Sequence, residues 1–164
     1  KMYSYRPPQG NAATKALTFG TFAIALILFL SPAAKLPYAG ALQTLGLVFA
    51  MAGIMLCTRY LMTGYVYALE QNGECIDLVI TEEKGKARRT VCRLSVNGAT
   101  LTHSGKLPIT EKKRKTYNYC PAAFDKNARW FFSPEAENEA VKLSVCDELL
   151  LALLSAGANY IDEE

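Results

Sequence analysis

The chain has 164 residues, 51% of them hydrophobic, and a formal net charge of +3. This length allows one modest domain, or a smaller domain plus another segment. Residues 1–62 contain no acidic residue and carry a charge of +5, whereas residues 63–164 hold 13 basic and 15 acidic residues, a balance of −2. The basic excess belongs to the hydrophobic part of the chain, which excludes a nucleic-acid binder with a basic folded face.

Two long uncharged segments follow a short polar segment, residues 1–15. The first covers residues 16–34 and the second residues 38–58, with a loop at residues 35–37 between them. A helix needs about 20 apolar residues to cross a hydrocarbon core of roughly 30 Å, so we predict two transmembrane helices. Two alternatives stay open. The pair could be a buried hairpin of a soluble protein, and the first segment could be a cleaved signal peptide.

The basic residues near these segments predict the orientation of the hairpin. Lys1, Arg6 and Lys15 precede the first segment and Arg59 follows the second, while the loop carries only Lys35. Because basic residues stay on the cytoplasmic side, we expect a multi-pass protein of the inner membrane with both termini cytoplasmic.

Small residues recur along the second segment at Gly46, Ala50 and Gly53. This spacing lets two helices approach closely, and we predict a helix contact there, either within the hairpin or between protomers. Neither segment contains an ionisable side chain away from its ends. Ionisable groups mark the paths of transporters, proton relays and channels. Because the two predicted helices lack such groups, the sequence favours a membrane anchor.

From residue 63 the apolar residues alternate with period two, as in half-buried strands. Asn72-Gly73 and Asn97-Gly98 are strong hairpin signals. Seven strands are predicted, at residues 64–70, 74–82, 87–96, 99–103, 115–120, 128–133 and 139–145. A helix over residues 147–157 should close the fold, with Ser144 as its N-cap and Gly157 at its C′ position.

The predicted fold class is therefore α+β: a two-helix transmembrane hairpin and an antiparallel seven-stranded barrel or sandwich capped by a C-terminal helix. The polar domain should occupy residues 63–158, and residues 159–164 form an acidic tail. The stretches TRYLMTGYVYALE, CRLSVNGATLTH, TYNYC and SVCDELLLALLSAG carry a resemblance to bacterial membrane-anchored proteins with a pleckstrin-homology-like (PH-like) domain. That resemblance implies a tethered binding or scaffolding domain. The loop EQNGE is acidic where lipid-binding relatives are basic, which argues against phosphoinositide recognition.

Two basic turns are the candidate contacts with anionic lipid or with a protein partner. They contain Lys112, Lys113, Arg114 and Lys115 in one turn, and Lys84, Lys86, Arg88 and Arg89 in the other. A basic residue near an anionic surface contributes about 1 kcal/mol. The alternative is that both turns are simply solvated loops.

Other residue classes give no site. Tyr117, Tyr119 and the run Trp130–Phe132 are expected to pack in the sheet. Five dispersed cysteines are expected to be reduced thiols of the core rather than a disulfide framework, and a single histidine, His103, cannot build a zinc cluster with them. We expect no catalytic residue, metal, cofactor or small-molecule substrate.

The sequence thus predicts a non-enzymatic, membrane-anchored binding or scaffolding protein. It would act as a protein-interaction module, or as a regulatory or accessory subunit of a membrane complex. Its partners would be the lipid bilayer and either another protein or further copies of itself. The alternative function is peripheral sensing of anionic lipid headgroups.

Overall fold

The computed structural model describes residues 3–35 and 37–161. The helices are α1 (Ala12–Phe29), α2 (Ala39–Leu56) and α3 (Asp147–Ser155), with a π-helical turn at Cys57–Leu61 and a 3-10 turn at Ile109–Glu111. The strands are β1 (Tyr3–Tyr5), β2 (Thr63–Asn72), β3 (Cys75–Lys84), β4 (Ala87–Ser95), β5 (Thr100–Leu101), β6 (Lys115–Asn118), β7 (Ala128–Phe132), β8 (Glu139–Ser144) and β9 (Asn159–Tyr160).

The chain divides into two compact units. The helical unit consists of Gln9–Thr63 together with Ala122–Phe124, and the sheet unit holds most of the remaining described residues. Strand β1 belongs to the sheet unit although it precedes the hairpin. Both β1 and β9 therefore lie outside the range 63–158 that the sequence predicted for the polar domain.

The sheet unit contains two sheets. One has the strand order β1-β2-β3-β4 and the other β6-β8-β7-β5-β9. The expected seven-stranded antiparallel sheet is wrong in number and partly in direction. Each of the seven predicted segments does hold a strand, but β1 and β9 raise the count among the described residues to nine. The pairs β5–β9 and β6–β8 are parallel, because strand neighbours are chosen by tertiary packing, which local alternation does not encode.

One apolar core joins the two sheets and α3. It includes Tyr67, Leu78, Ile80, Phe131, Val141, Leu143, Leu149 and Leu153, each with at most 1% of its surface exposed. Helix α3 contributes Leu149 and Leu153 to this core, whereas Leu151 on its other face is 67% exposed. The terminal helix thus covers the sheets with one face rather than being buried all round.

The ends of α3 were predicted half correctly. Ser144 is the last residue of β8, and the N-cap is Cys146, whose Sγ accepts a hydrogen bond from the Leu149 backbone N–H at 3.4 Å. The chain stays extended for two residues longer than the capping-box pattern implied. Gly157 follows the helix with φ +98°, a conformation that favours glycine, so its predicted C′ position is confirmed.

The two long helices begin and end near their predicted limits. Helix α1 covers Ala12–Phe29 instead of residues 16–34, and α2 covers Ala39–Leu56 and continues through the π-helical turn to Leu61. At 1.5 Å per residue, each 18-residue helix is about 27 Å long. Both are long and apolar enough to cross a membrane.

Candidate functional site

The two glycines of the small-residue stripe face the other helix of the same hairpin. A Cβ atom on Gly46 would lie 3.1 Å from the Leu28 Cβ and 3.2 Å from the Ala25 carbonyl oxygen. A Cβ on Gly53 would lie 3.1 Å from the Phe22 ring. Gly46 and Gly53 are buried and Ala50 is half-buried. The sequence left open a contact within the hairpin or between protomers. The structure has the glycines in contact within the hairpin.

The outward faces of the hairpin are apolar and uncovered. Only 22% of the apolar window of α1 and 11% of that of α2 are buried. The exposed large side chains are Leu17, Phe19, Ile24, Leu26, Ile27, Phe29, Leu45, Leu47, Val48, Met51, Ile54 and Met55. Exposed apolar surface of this extent marks a membrane or partner interface, because soluble proteins rarely leave such surface in water.

The first turn of α1 is held by a polar cluster. Asn11 caps the helix, since its Oδ1 accepts a hydrogen bond from the Thr14 backbone N–H at 2.8 Å. The Thr14 hydroxyl, fully buried, donates to the same oxygen and accepts from the Ala123 N–H at 3.0 Å. The Asn11 amide in turn donates to the Phe124 carbonyl at 2.6 Å. Asparagine before an apolar helix is a recognisable N-cap signal, but this cluster was not predicted from the sequence.

The basic turn at residues 111–115 is not uniformly available for binding. Lys112, Lys113 and Lys115 are exposed. Arg114 forms an ion pair with Glu111, and its guanidinium lies 5.2 Å from the centre of the Phe132 ring. The Lys115 ammonium lies 5.1 Å from the centre of the Tyr117 ring. Two of the four predicted contact residues, Lys112 and Lys113, are therefore exposed without such a contact, and the arginine is engaged within the fold.

Arg114 also lines a polar cavity of about 430 Å³ beside the ends of β5 and β7. Thr100, Phe132, Glu137 and Asn138 form further parts of its wall. Both signs of charge line it, so the cavity does not select an anion by charge alone. This cavity could not be predicted from local patterns, because its walls come from three separate segments.

The second basic turn joins β3 to β4. Lys84, Lys86 and Arg89 are exposed, whereas Arg88 pairs with Glu83 at 2.9 Å. Glu83 is buried and also forms an ion pair with Arg6 at 2.5 Å. Arg88 is consequently part of a structural ion-pair cluster, and the turn offers three of its four basic residues to a ligand.

His103 and the acidic residues Asp77 and Asp125 each make contacts within the fold. The His103 ring stacks on Tyr160 with centroids 4.1 Å apart. Asp77 accepts hydrogen bonds from Asn72 and Arg93, and the Asp125 carboxylate accepts one from a backbone N–H in its own turn. Among the described residues there is no group of three or more His, Cys, Asp or Glu side chains able to hold a metal ion.

Aromatic residues of the sheet unit serve mainly in packing. Trp130, Phe131 and Phe132 are buried, while Tyr117 and Tyr119 are half-buried, as the sequence predicted. The Tyr67 hydroxyl donates to the Tyr119 carbonyl at 2.8 Å and accepts from the Ser144 N–H at 3.2 Å. Burial raises the pKa of the Tyr67 hydroxyl, and burial also raises the pKa of Tyr119 to about 12.

The five cysteines are free thiols in the structure. Cys120 is buried and Cys57, Cys92 and Cys146 are half-buried, whereas Cys75 is exposed, so the expected core placement is wrong for Cys75. Cys75 at the start of β3 is therefore open to a thiol reagent, which makes it useful as a probe.

Comparisons of the chain with protein-family models, curated proteins and solved structures found no match.

Proposed function

We propose that this chain is a membrane-anchored binding protein in which α1 and α2 cross the bilayer and the sheet unit binds a protein partner. The observation that carries the proposal is the uncovered apolar surface on both helices. Only 22% of the apolar window of α1 and 11% of that of α2 are buried. The core helices of a soluble protein hide their apolar faces, so lipid is the environment that fits this surface. The buried soluble hairpin is disfavoured on the same ground.

Strand pairing supports a hairpin that crosses twice. Strand β1 precedes α1 and strand β2 follows α2, and the two strands pair with Tyr3 opposite Leu69. Both chain segments that leave the hairpin thus enter one sheet. This supports an even number of crossings, and the basic residues outside the hairpin favour the cytoplasm for that sheet. A cleaved signal peptide is disfavoured because cleavage near residue 34 would remove β1 as well.

Accessibility to a membrane-impermeant maleimide tests this topology. Lys35→Cys places a thiol in the loop between the helices, and the native Cys75 supplies an exposed thiol in the sheet unit. In intact spheroplasts we expect labelling at position 35 and protection of Cys75, with Cys75 labelled after permeabilisation. Labelling of both thiols in intact spheroplasts, or of neither, would contradict the proposed topology.

The proposed activity is that of a scaffold or an accessory subunit, with a PH-like sheet unit as its interaction module. Exposed apolar side chains lie on the sheet unit at Ile109 (81% exposed) and Leu151 (67%). The small-residue stripe is less suited to self-association, because Gly46 and Gly53 already pack against α1. A different protein is therefore the favoured partner over a second copy joined through α2.

Site-specific photo-crosslinking in native membranes tests partner binding. A photoreactive residue at Leu151 or Ile109 should give a discrete crosslinked band, and one at the fully buried Leu149 should not. The absence of any discrete band from the two exposed positions would argue against a protein partner on these surfaces.

Sensing of anionic lipid is the second candidate function, supported by exposed Lys112, Lys113 and Lys115. In nanodiscs containing anionic lipid, hydrogen exchange around residues 105–118 should slow relative to neutral nanodiscs. The effect should weaken with added salt and with Lys112→Gln and Lys113→Gln together. Equal exchange rates in both nanodiscs would remove this function and leave the scaffold.

A further inference from the structure

One segment of the sheet sequence is bound to the start of the membrane hairpin. The connection between β6 and β7 contributes Ala122–Phe124 to the helical unit. Its backbone is fixed at two points, by the 3.0 Å hydrogen bond from Ala123 N–H to the Thr14 hydroxyl and by the 2.6 Å bond from the Asn11 amide to the Phe124 carbonyl. Thr14 is fully buried, so the first of these bonds is shielded from water.

The Phe124 side chain is exposed despite this fixed backbone. It exposes 63% of its surface, and its neighbour Ala122 is buried. A large aromatic ring held outward on a short pinned segment is costly in water, and it needs little further ordering in order to insert into an apolar phase.

Position along α1 sets the depth of this ring. Phe124 binds Asn11, and the uncharged part of α1 begins at Ala16, five residues further along. Five residues of helix rise about 7.5 Å. Each interfacial layer of a bilayer is about 5–7.5 Å thick, half the difference between the total and the hydrocarbon thickness. If Ala16 marks the hydrocarbon boundary, the Phe124 backbone lies at the outer edge of the headgroup layer.

Neighbouring residues at this end of the hairpin have the chemistry of a membrane interface. Lys15 is exposed on the next turn of α1. At the end of α2 the Arg59 guanidinium lies 5.3 Å from the centre of the Tyr60 ring. A Cβ on Gly10 would lie 3.6 Å from the Tyr60 carbonyl oxygen, which places Tyr60 beside the residue that precedes Asn11. Basic and aromatic residues at one level are typical of membrane interfaces.

We propose that Phe124 is a lipid-contacting residue that inserts its ring into the headgroup layer of the leaflet where α1 begins. The contact continues the lipid-facing surface of the hairpin, and it rests on the proposed crossing of the membrane by α1 and α2. The occupant is phospholipid, because the ring is apolar and its backbone is fixed about 7.5 Å before the start of the uncharged helix, at the depth of the headgroups. The loop between β6 and β7 is thereby held at the membrane.

Depth-dependent fluorescence quenching in proteoliposomes tests this contact. Phe124→Trp is compared with Leu26→Trp and with the unmodified chain, whose Trp130 is 8% exposed and supplies the background emission. Leu26 is 61% exposed and lies ten residues beyond Ala16, about 15 Å deeper and so near the bilayer centre. The lipids carry bromine either near the headgroup or near the end of the acyl chain.

We expect the emission added at position 124 to be quenched at least about twofold more by the shallow bromines than by the deep ones. The emission added at position 26 should show the reverse order. Deep quenching at position 26 with no quenching at position 124 would overturn the Phe124 contact and leave the hairpin intact. No quenching at either position would overturn the membrane hairpin itself, and the Phe124 contact with it.

Discussion

Replacing Gly46 by leucine should separate the two helices of the hairpin. A Cβ atom at this position already comes within 3.2 Å of the Ala25 carbonyl oxygen and 3.1 Å of the Leu28 Cβ. The carbonyl oxygen is backbone and cannot swing away, so a side chain of four carbons forces the helix axes apart. Overpacking of this kind typically costs about 1–3 kcal/mol, and we expect Gly46→Leu to destabilise the helix pair by that amount.

Gly20→Leu is the matched control within the same hairpin. A Cβ at Gly20 has no atom within 4 Å, so the same substitution should change the stability by no more than about 0.5 kcal/mol. The assay is energy transfer between dyes on Ala16→Cys and Thr58→Cys, with the native cysteines changed to alanine, during titration of detergent-solubilised protein with SDS. The midpoint should fall for Gly46→Leu and stay unchanged for Gly20→Leu.

Two results would refute this reasoning. Equal midpoints for the two variants would mean that Gly46 does not lie against α1. Loss of a native oligomer in Gly46→Leu, with an unchanged midpoint for the monomer, would assign the glycine stripe to a contact between protomers instead.

Three further predictions concern the sheet unit and are read by urea unfolding. Glu83→Gln removes the buried carboxylate shared by Arg6 and Arg88 and should cost about 1.5–3 kcal/mol, since hydrogen bonds to charged groups are worth that much. An unchanged midpoint would contradict the pairing. Tyr67→Phe leaves the buried Ser144 N–H without its partner and should cost about 1–3 kcal/mol, whereas a neutral result would mean that water replaces the hydroxyl. The raised pKa of Tyr119 stabilises the fold at pH values below the unfolded pKa of about 10, and this contribution is lost as the pH rises toward about 12. Above a pH of about 10 the free energy of unfolding should therefore fall less steeply with pH in Tyr119→Phe than in the unchanged protein.

Local patterns predicted the long elements of this chain well, because each carries its own signal. Alternation over five or more residues placed the seven strands, and Asn72-Gly73 is the turn between β2 and β3. The hairpin predicted at Asn97-Gly98 is wrong: β4 pairs with β3, and β5 pairs with β7 and β9 in the other sheet, so this turn leads from one sheet to the other. Strands β1 and β9 have three and two residues, which is too short for a period to appear. They exist because distant strands supply their hydrogen bonds: Tyr3 pairs with Leu69, and Asn159 with Thr100.

The candidate sites were harder to predict than the strands, since their availability depends on distant neighbours. The local sequence does not indicate that Glu83 pairs with both Arg88 and Arg6. Arg6 lies 77 positions before Glu83 in the chain. Phe124 gave no signal either, because a single phenylalanine in a polar turn ordinarily reads as packing. Its exposure and its bond to Asn11 come only from the folded chain.

The pairing of β1 with β2 makes a final prediction about the isolated polar domain. A fragment of residues 63–164 lacks β1, so the edge of β2 loses the partners of Tyr67, Ala68 and Leu69. It also lacks the Arg6 partner of Glu83. Exposed strand edges recruit other chains, and we expect this fragment to unfold at lower urea and to self-associate.

A matched fragment separates the loss of β1 from the loss of the hairpin. Tyr5 pairs with Tyr67 in antiparallel register, which brings Pro8 close to Gly64, so a short Gly-Ser linker can join these residues and replace the hairpin. The linked chain should be monomeric and should unfold at higher urea than the 63–164 fragment. Equal stability of the two would mean that β1 adds nothing to the sheet, and the strand-pairing support for a hairpin with both ends on one side would then fall.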